Sequence, residues 1–107
     1  MRALIVMAAL ALCGNAWAGG DAANGKAISE KVCGACHGVD GAKPATADNP
    51  VLAGQYSDYI VKALRDYKSG KRANPVMKAM AEPLSRKDID DLATWFSSQH
   101  STLHFQR

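Results

Sequence analysis

The residues best suited to chemistry in this chain are the five from Cys33 to His37, which read Cys-Gly-Ala-Cys-His. Two cysteines three positions apart lie on one turn of a helix, so both thiols can reach one edge of a porphyrin. The histidine follows immediately, and two thioether bonds would hold its imidazole beneath the iron as the proximal ligand. C-x-x-C-H is the signature of covalent c-type haem attachment. The remainder of the chain has to show whether this short motif has that role here.

Residues 1–18 differ from the rest and predict a cleaved secretory signal peptide. Arg2 supplies a positive start, residues 3–12 form an uncharged apolar run, and residues 16–18 form an A-x-A cleavage site. The apolar run is shorter than the ~20 residues that a membrane-spanning helix needs. Cleavage after Ala18 would remove Cys13 and leave only Cys33 and Cys36 in an oxidising compartment. Residues 19–107 are then expected to form one domain.

The composition is that of a small globular domain, with 48% hydrophobic and 21% charged residues in 107. A domain of this size has a marginal core by area and commonly needs a disulfide, a metal or a cofactor for stability. A buried haem would be such a stabilising cofactor. Loss of Arg2 with the signal lowers the net charge from +3 to +2, which is too mild to indicate a nucleic-acid partner.

Three helices and long loops are expected, without any strand pattern, so the predicted fold class is all-α. Asp21 can cap a first helix that runs to Cys33. Ser57 is the expected cap of a second helix, which ends at Ser69 before Gly70. Ser85 and Asp88 resemble a capping box at the start of a last helix that ends near Ser98. The apolar face of the second helix is formed by Tyr56, Ile60, Ala63, Leu64 and Tyr67.

Two stretches are expected to be loops. Residues 38–54 contain several glycines and the pair Asn49-Pro50, and this loop can wrap one side of a planar group. Residues 71–83 contain two further prolines that predict breaks in regular structure, and Met77 and Met80 lie between them. Gly25 is a poor helix residue, which indicates either a close approach by another element or a weak helix start.

Over residues 20–99 the chain resembles a class I cytochrome c. It is similar to small periplasmic one-haem cytochromes that look like one half of the two-haem members of the class. C-x-x-C-H is shared by every c-type haem protein, whereas three other segments are more specific to this subgroup: Ala53-Gly54-Gln55-Tyr56, Lys68-Ser69-Gly70 and Met77-Lys78-Ala79-Met80. The resemblance implies a cytochrome c fold, a periplasmic location and one haem c attached through Cys33 and Cys36.

The resemblance also implies roles for single residues. His37 would be the proximal ligand, and the carbonyl of Pro50 would accept a hydrogen bond from its second ring nitrogen. Met77, as the first methionine of the M-x-x-M pair, is the expected sixth ligand, with Met80 as the alternative. Gly25 and Trp95 match a glycine and an aromatic residue that pack against each other in the family.

With both axial positions filled, the iron has no open site for a substrate, so the expected function is electron transfer and not catalysis. The expected partners are redox proteins of a respiratory chain, with the protein itself a monomer. A thioether ligand stabilises Fe(II) and raises the reduction potential. Five lysines flank the predicted haem segments and are either a docking surface for an acidic partner or an ordinary solvated surface: Lys26, Lys31, Lys43, Lys71 and Lys78.

Three other readings of the motif are weighed against this one. The first is a sensor or small enzyme with five-coordinate haem, in which both methionines belong to the core. The second is a zinc site of Cys33, Cys36, His100 and His104, which leaves His37 without a role and separates the ligands too widely for a finger. The third is a thiol-disulfide enzyme, which would require a βαβ pattern.

Overall fold

The structure of the protein, a computed structural model, describes residues 19–101. The expected signal peptide, residues 1–18, lies outside the described residues, as do residues 102–107 with His104. The described chain is helical and contains no strand, so the predicted all-α class is confirmed. None of the helices in this part is long and apolar enough to cross a membrane.

The first helical run carries the C-x-x-C-H residues and has three parts. Helix α1 spans Ala22–Ile28, a π-helical turn follows over Ser29–Cys33, and α2 spans Gly34–His37. The predicted cap is confirmed, because the Asp21 carboxylate accepts hydrogen bonds from the backbone N–H groups of Ala23 and Asn24. The π-turn was not predicted from the sequence. Such turns insert an extra residue into a helix and recur at functional sites.

Helix α3 spans Ser57–Ser69, with the bounds that the sequence predicts. Its predicted cap is wrong, because Tyr56 occupies the N-cap position without a side-chain capping bond and Ser57 is already helical. Tyr56, assigned by its spacing to the apolar face, is 53% exposed, whereas Ile60 on the same face is buried. Gly70 ends the helix with a φ of 82°, a left-handed conformation that favours glycine.

Helix α4 spans Pro75–Ala81 and corrects the predicted loop over residues 71–83. The Asn74 side chain accepts hydrogen bonds from the N–H groups of Val76 and Met77, and Pro75 stands at the first helical position. A proline there costs nothing, since its missing N–H would have no partner within the helix. The Asn-Pro pair therefore begins a helix where the sequence analysis predicted a break.

Helix α5 spans Arg86–Ser97 and begins with the predicted capping box. The Ser85 hydroxyl accepts from the N–H of Asp88, and the Asp88 carboxylate accepts from the N–H of Ser85, both at 3.0 Å. This helix packs on α1 and α3 and supplies half of the buried hydrophobic residues. The buried hydrophobic core consists of Ala53, Ile60, Ala81, Leu84, Ile89, Leu92, Ala93 and Phe96.

The crossing of α1 and α5 depends on Gly25. A Cβ atom at this position would lie 2.1 Å from the carbonyl oxygen of Asp91 and 2.8 Å from Cβ of Trp95. Only glycine allows two helix backbones to approach so closely. Of the two explanations for this glycine, the structure supports the close approach, with Trp95 at the contact as the resemblance implies.

A buried carboxylate holds the beginning of the domain against α5. Asp91 is 1% exposed, and it accepts hydrogen bonds from the N–H of Asp21 at 2.7 Å, the amide of Asn24 at 2.6 Å and the ammonium of Lys87 at 2.5 Å. Burial by itself would raise the pKa of Asp91, but these three donors outweigh it and lower the pKa below its usual value. Asp91 is therefore charged at neutral pH and fixes the start of α1.

Candidate functional site

The helical run from α1 to α2 positions the three residues of the C-x-x-C-H motif. Cys33 ends the π-turn and is half-buried beside the hydrophobic core. Cys36 is exposed, and His37, the last residue of α2, is buried with only 7% of its surface accessible. The Cys33 thiol is therefore more buried than the Cys36 thiol, and the His37 imidazole is enclosed by the protein.

The His37 ring is oriented by the loop that follows it. Its Nδ1 atom lies 2.9 Å from the carbonyl oxygen of Pro50, at hydrogen-bond distance. Because the carbonyl can only accept, Nδ1 carries the proton and the Nε2 lone pair is available to a metal. Among the described residues, Nε2 has no hydrogen-bond partner. This is the tautomer that an iron ligand requires, and the partner is the proline that the resemblance singled out.

A second junction, which the sequence analysis missed, holds the chain just after His37. The carbonyl oxygen of Val39 accepts hydrogen bonds from the Ser29 hydroxyl and from the indole N–H of Trp95, both at 2.7 Å. Ser29 lies in the π-turn and is completely buried, and Trp95 lies on α5. One carbonyl therefore joins the π-turn, the loop and the last helix. A buried serine has no signature in the sequence that distinguishes it from an ordinary surface serine.

Residues 38–54 form the predicted loop, which is hydrogen-bonded to the helix that carries Cys36 and to the last helix. The N–H of Ala45 donates to the carbonyl of Cys36 at 2.9 Å, and the N–H of Gly54 donates to the carbonyl of Phe96 at 2.9 Å. Gly41 has a φ of 75°, and a Cβ there would come within 2.9 Å of the Ala53 nitrogen. The loop is thus tied to both α2 and α5, and these ties bring Pro50 to the His37 ring.

The two methionines of the M-x-x-M segment have different surroundings on α4. Met77 is half-buried and lies four residues before the buried Ala81, so the two share the inner face of the helix. Met80 is 41% exposed. Asn74, by capping α4, bonds directly to the N–H of Met77 at 3.1 Å. Of the two thioethers, the one on Met77 is held on the inner side by the fold.

These residues fit a covalently attached haem. The chain offers two cysteines at thioether spacing, a buried imidazole in the tautomer that leaves Nε2 available, and a partly buried thioether on another helix. Cys33 packs against the hydrophobic core together with six other partly buried apolar side chains: Ile28, Leu52, Val61, Leu64, Tyr67 and Trp95.

The structure gives no support to the thiol-disulfide and zinc readings. Burial, and secondarily the neighbouring Cys36, raises the pKa of the Cys33 thiol to about 11, whereas thiol exchange needs a thiolate near neutral pH. No strand of a βαβ unit is present between residues 19 and 101. Within the same range, no three His, Cys, Asp or Glu side chains are grouped as metal ligands, and His104 lies outside it.

Comparisons with known proteins also support a site for covalently attached haem. The sequence model of the family described as Cytochrome c matches residues 22–100. Cytochrome c4 of Pseudomonas aeruginosa is 48% identical over 90 residues, which make up 84% of this chain and 44% of that protein. Cytochrome c-554(548) of Halomonas halodenitrificans is 40% identical over 75% of this chain and 98% of its own length. The crystal structure of reduced cytochrome c4 from Pseudomonas stutzeri superposes with a TM-score of 0.70 and 39% identity, over 78% of this chain and 48% of that one.

The chain spans about half the length of the cytochromes c4 that it matches and nearly the whole length of the smaller cytochrome c-554(548). One unit of the longer proteins therefore corresponds to residues 22–100 here.

Proposed function

Because the chain belongs to the cytochrome c family and carries haem c bound through Cys33 and Cys36, we propose that it is a one-haem electron carrier with His37 and Met77 as axial ligands. The observation that carries the proposal is the contact between His37 Nδ1 and the carbonyl of Pro50. When bound, haem c supplies an iron that alternates between Fe(II) and Fe(III).

The residues around the site suit transfer of an electron with little movement of the protein. The Pro50 carbonyl fixes the tautomer and plane of the His37 ring and increases its basicity. The thioether of Met77 is a weak donor that favours the reduced state. The Asn74 cap of α4 would help to hold Met77 in position as a ligand. With two ligands supplied by the protein, no position is left for a small-molecule substrate.

The cellular setting is part of the proposal. Export through the predicted signal peptide would place the carrier in the periplasm, as a monomer that exchanges electrons with redox proteins of a respiratory chain. Two relatives that are 43% identical over about 60% of this chain are named thiosulfate dehydrogenase electron acceptor. They support an oxidoreductase as the kind of donor that this chain serves.

Visible spectroscopy of the protein secreted by a host that matures c-type haem tests the proposal. We expect haem staining on a denaturing gel, a low-spin spectrum in both oxidation states, and a weak far-red band in the oxidised form. Met77→Ala should abolish that band and give high-spin iron, whereas the matched control Met80→Ala should keep it. High-spin haem in the unmodified protein would instead indicate a five-coordinate sensor or small enzyme. A band lost only in Met80→Ala would assign the ligand to Met80.

A further inference from the structure

The segment Lys68-Ser69-Gly70 has no part in the site described so far, although it is one of the three segments that are specific to the subgroup. It ends helix α3 and begins the short connection to α4, the helix that bears Met77. Gly70 turns the chain with its φ of 82°. Lys68 lies in the last turn of α3, and its side chain crosses to a distant part of the chain. Its contact there indicates what the segment does.

The ammonium group of Lys68 donates a hydrogen bond to the backbone carbonyl of Leu84. Leu84 is a buried core residue, 7% exposed, in the connection between α4 and α5. Its N–H donates to the carbonyl of Ala81, the last residue of α4, at 3.1 Å. Leu84 therefore belongs to the tight turn that closes α4, and Lys68 joins the end of α3 to that turn.

The Leu84 carbonyl has a particular need for this donor. The backbone hydrogen bonds of α5 begin one residue later, where the carbonyl of Ser85 accepts from the N–H of Ile89 at 3.1 Å. The carbonyl of Leu84 is thus left outside the hydrogen bonds of that helix. A backbone carbonyl on a buried residue is stabilised by a donor, and a charged donor forms a stronger hydrogen bond than a neutral one. Lys68 supplies such a donor.

Lys68 differs in this respect from its neighbour Lys71. Neither of the two ion pairs that form between residues 19 and 101 includes Lys68, so the Leu84 carbonyl, and not a carboxylate, is the partner of its ammonium. The ammonium of Lys71, just beyond the turn at Gly70, forms no hydrogen bond or ion pair in the same part of the chain. The two lysines carry the same charge three positions apart, but only Lys68 is bound to the end of α4.

Helix α4 is held at both ends, and Met77 lies between the two attachments. At its start, the Asn74 side chain accepts from the N–H groups of Val76 and Met77. At its end, Lys68 binds the closing turn. Helices of fewer than about 12 residues are marginal in water by themselves, and α4 has only 7. Its position on α3, where the two helices pack together, therefore depends on such attachments.

We propose that Lys68 is a positioning residue for the sixth ligand. Through its hydrogen bond to the Leu84 carbonyl it keeps the end of α4 against α3, and it thereby opposes the dissociation of Met77 from the iron. The inference rests on the proposed function, because it concerns the ligand named there. The acting part of Lys68 is the ammonium group and not the aliphatic chain.

Imidazole titration of the oxidised holoprotein measures how readily Met77 leaves the iron. Imidazole binds only where the sixth position is open, so its apparent affinity follows the open fraction. Loss of the far-red band reports the displaced methionine. Lys68→Met removes the donor and keeps the length of the side chain, whereas Lys68→Arg keeps a charged donor. The matched control is Lys71→Met, which removes the same charge three positions away.

We expect Lys68→Met to raise the apparent imidazole affinity by about tenfold, the change that corresponds to the loss of one hydrogen bond from a charged donor. Lys68→Arg should leave the affinity near its original value. Lys71→Met should change it by less than about twofold, as an exposed substitution does. An unchanged affinity in Lys68→Met, or an equal increase in Lys71→Met, would overturn the proposal.

A Met77→Ala background separates ligand release from a general loss of stability. No thioether has to leave the iron in this variant, so adding Lys68→Met to it should leave the imidazole affinity unchanged. An effect of undiminished size in this background would overturn the proposal, because it would not act through Met77. If Met77→Ala alone binds imidazole no more tightly than the original protein, or if the original holoprotein lacks low-spin haem, the proposed function itself is contradicted.

Discussion

The indole N–H of Trp95 donates a 2.7 Å hydrogen bond to the carbonyl of Val39, two residues after His37. The same carbonyl accepts the hydroxyl proton of Ser29, so the chain leaving the histidine is held by two donors from different elements. On the other side, the His37 ring contacts the carbonyl of Pro50. The imidazole is thus fixed through its backbone and through its ring, which is the arrangement that a permanent axial ligand requires.

The first prediction concerns the donors to Val39. Ser29→Ala and Trp95→Phe each remove one hydrogen bond, and each should lower the free energy of unfolding by about 1 kcal/mol. Urea denaturation of the holoprotein measures the change. Ser98→Ala is the matched control, because the Ser98 hydroxyl donates to the Trp95 carbonyl at an exposed position and its loss should cost less than about 0.5 kcal/mol. Equal losses in Ser29→Ala and Ser98→Ala would show that the Val39 junction has no special importance.

A second prediction tests the crossing of α1 and α5. In Gly25→Ala the new methyl group would meet the Asp91 carbonyl, which is backbone and cannot move aside without separating the helices. We expect a loss of about 3 kcal/mol in the free energy of unfolding. The control Gly19→Ala places its methyl group 3.9 Å from Thr94, an ordinary contact, and should be nearly neutral. Thermal denaturation of both variants measures these losses of stability. A Gly25→Ala protein as stable as the original would contradict the close approach of α1 to α5.

The third prediction is a dependence of stability on pH. Since the pKa of Asp91 is lower in the folded chain than its ordinary value of 3.8, the unfolded chain takes up this proton first as pH falls. The stabilisation by Asp91 is therefore complete above that value and disappears as pH falls through the folded pKa. Asp91→Asn should cost about 2 kcal/mol at pH 7, because it removes a charged acceptor of three hydrogen bonds.

Denaturation midpoints between neutral and acidic pH measure this effect. The difference in stability between the original protein and Asp91→Asn should shrink below pH 3.8. The lowered pKa of Asp66 arises from Lys62, Lys71 and Arg72, so it contributes the same slope to both proteins and cancels in that difference. The exposed neighbour Asp90 provides the control Asp90→Asn. A difference that stays constant across the range would rule out the assigned role of Asp91.

A fourth prediction links the cap of α4 to the proposed ligand Met77. Asn74→Ala removes the acceptor for the N–H groups of Val76 and Met77, at a cost of about 1 kcal/mol to the helix. If Met77 binds iron, its release becomes easier by the same amount, so added imidazole should replace it with about fivefold higher apparent affinity. A spectroscopic titration with imidazole measures this.

The matched control for that titration is Ser85→Ala, which removes the cap of α5 at a similar cost in stability but leaves α4 intact. An unchanged imidazole affinity in Asn74→Ala, or an equal increase in Ser85→Ala, would separate α4 from the ligand and contradict the prediction.

Local patterns determined a large part of this protein without any structure. The C-x-x-C-H residues define the attachment chemistry, because covalent spacing along one helical turn is a property of adjacent residues. The cap at Asp21, the capping box at Ser85 and the end of α3 at Gly70 are likewise short-range and were predicted correctly. Asn74-Pro75 was misread, because the same dipeptide can break a helix or begin one.

Only the tertiary structure decided which distant groups meet. The meeting of Ser29 and Trp95 at the Val39 carbonyl, and the hydrogen bond from Asn24 to the buried Asp91, each join residues through the packing of separate segments. Hydrogen bonds form only when two atoms come within about 3 Å of each other in space. Within one helical turn, the spacing of two residues in the sequence determines the distance between their side chains. Between two helices, that distance depends on how the helix backbones pack, as they do here where Gly25 lies against Asp91.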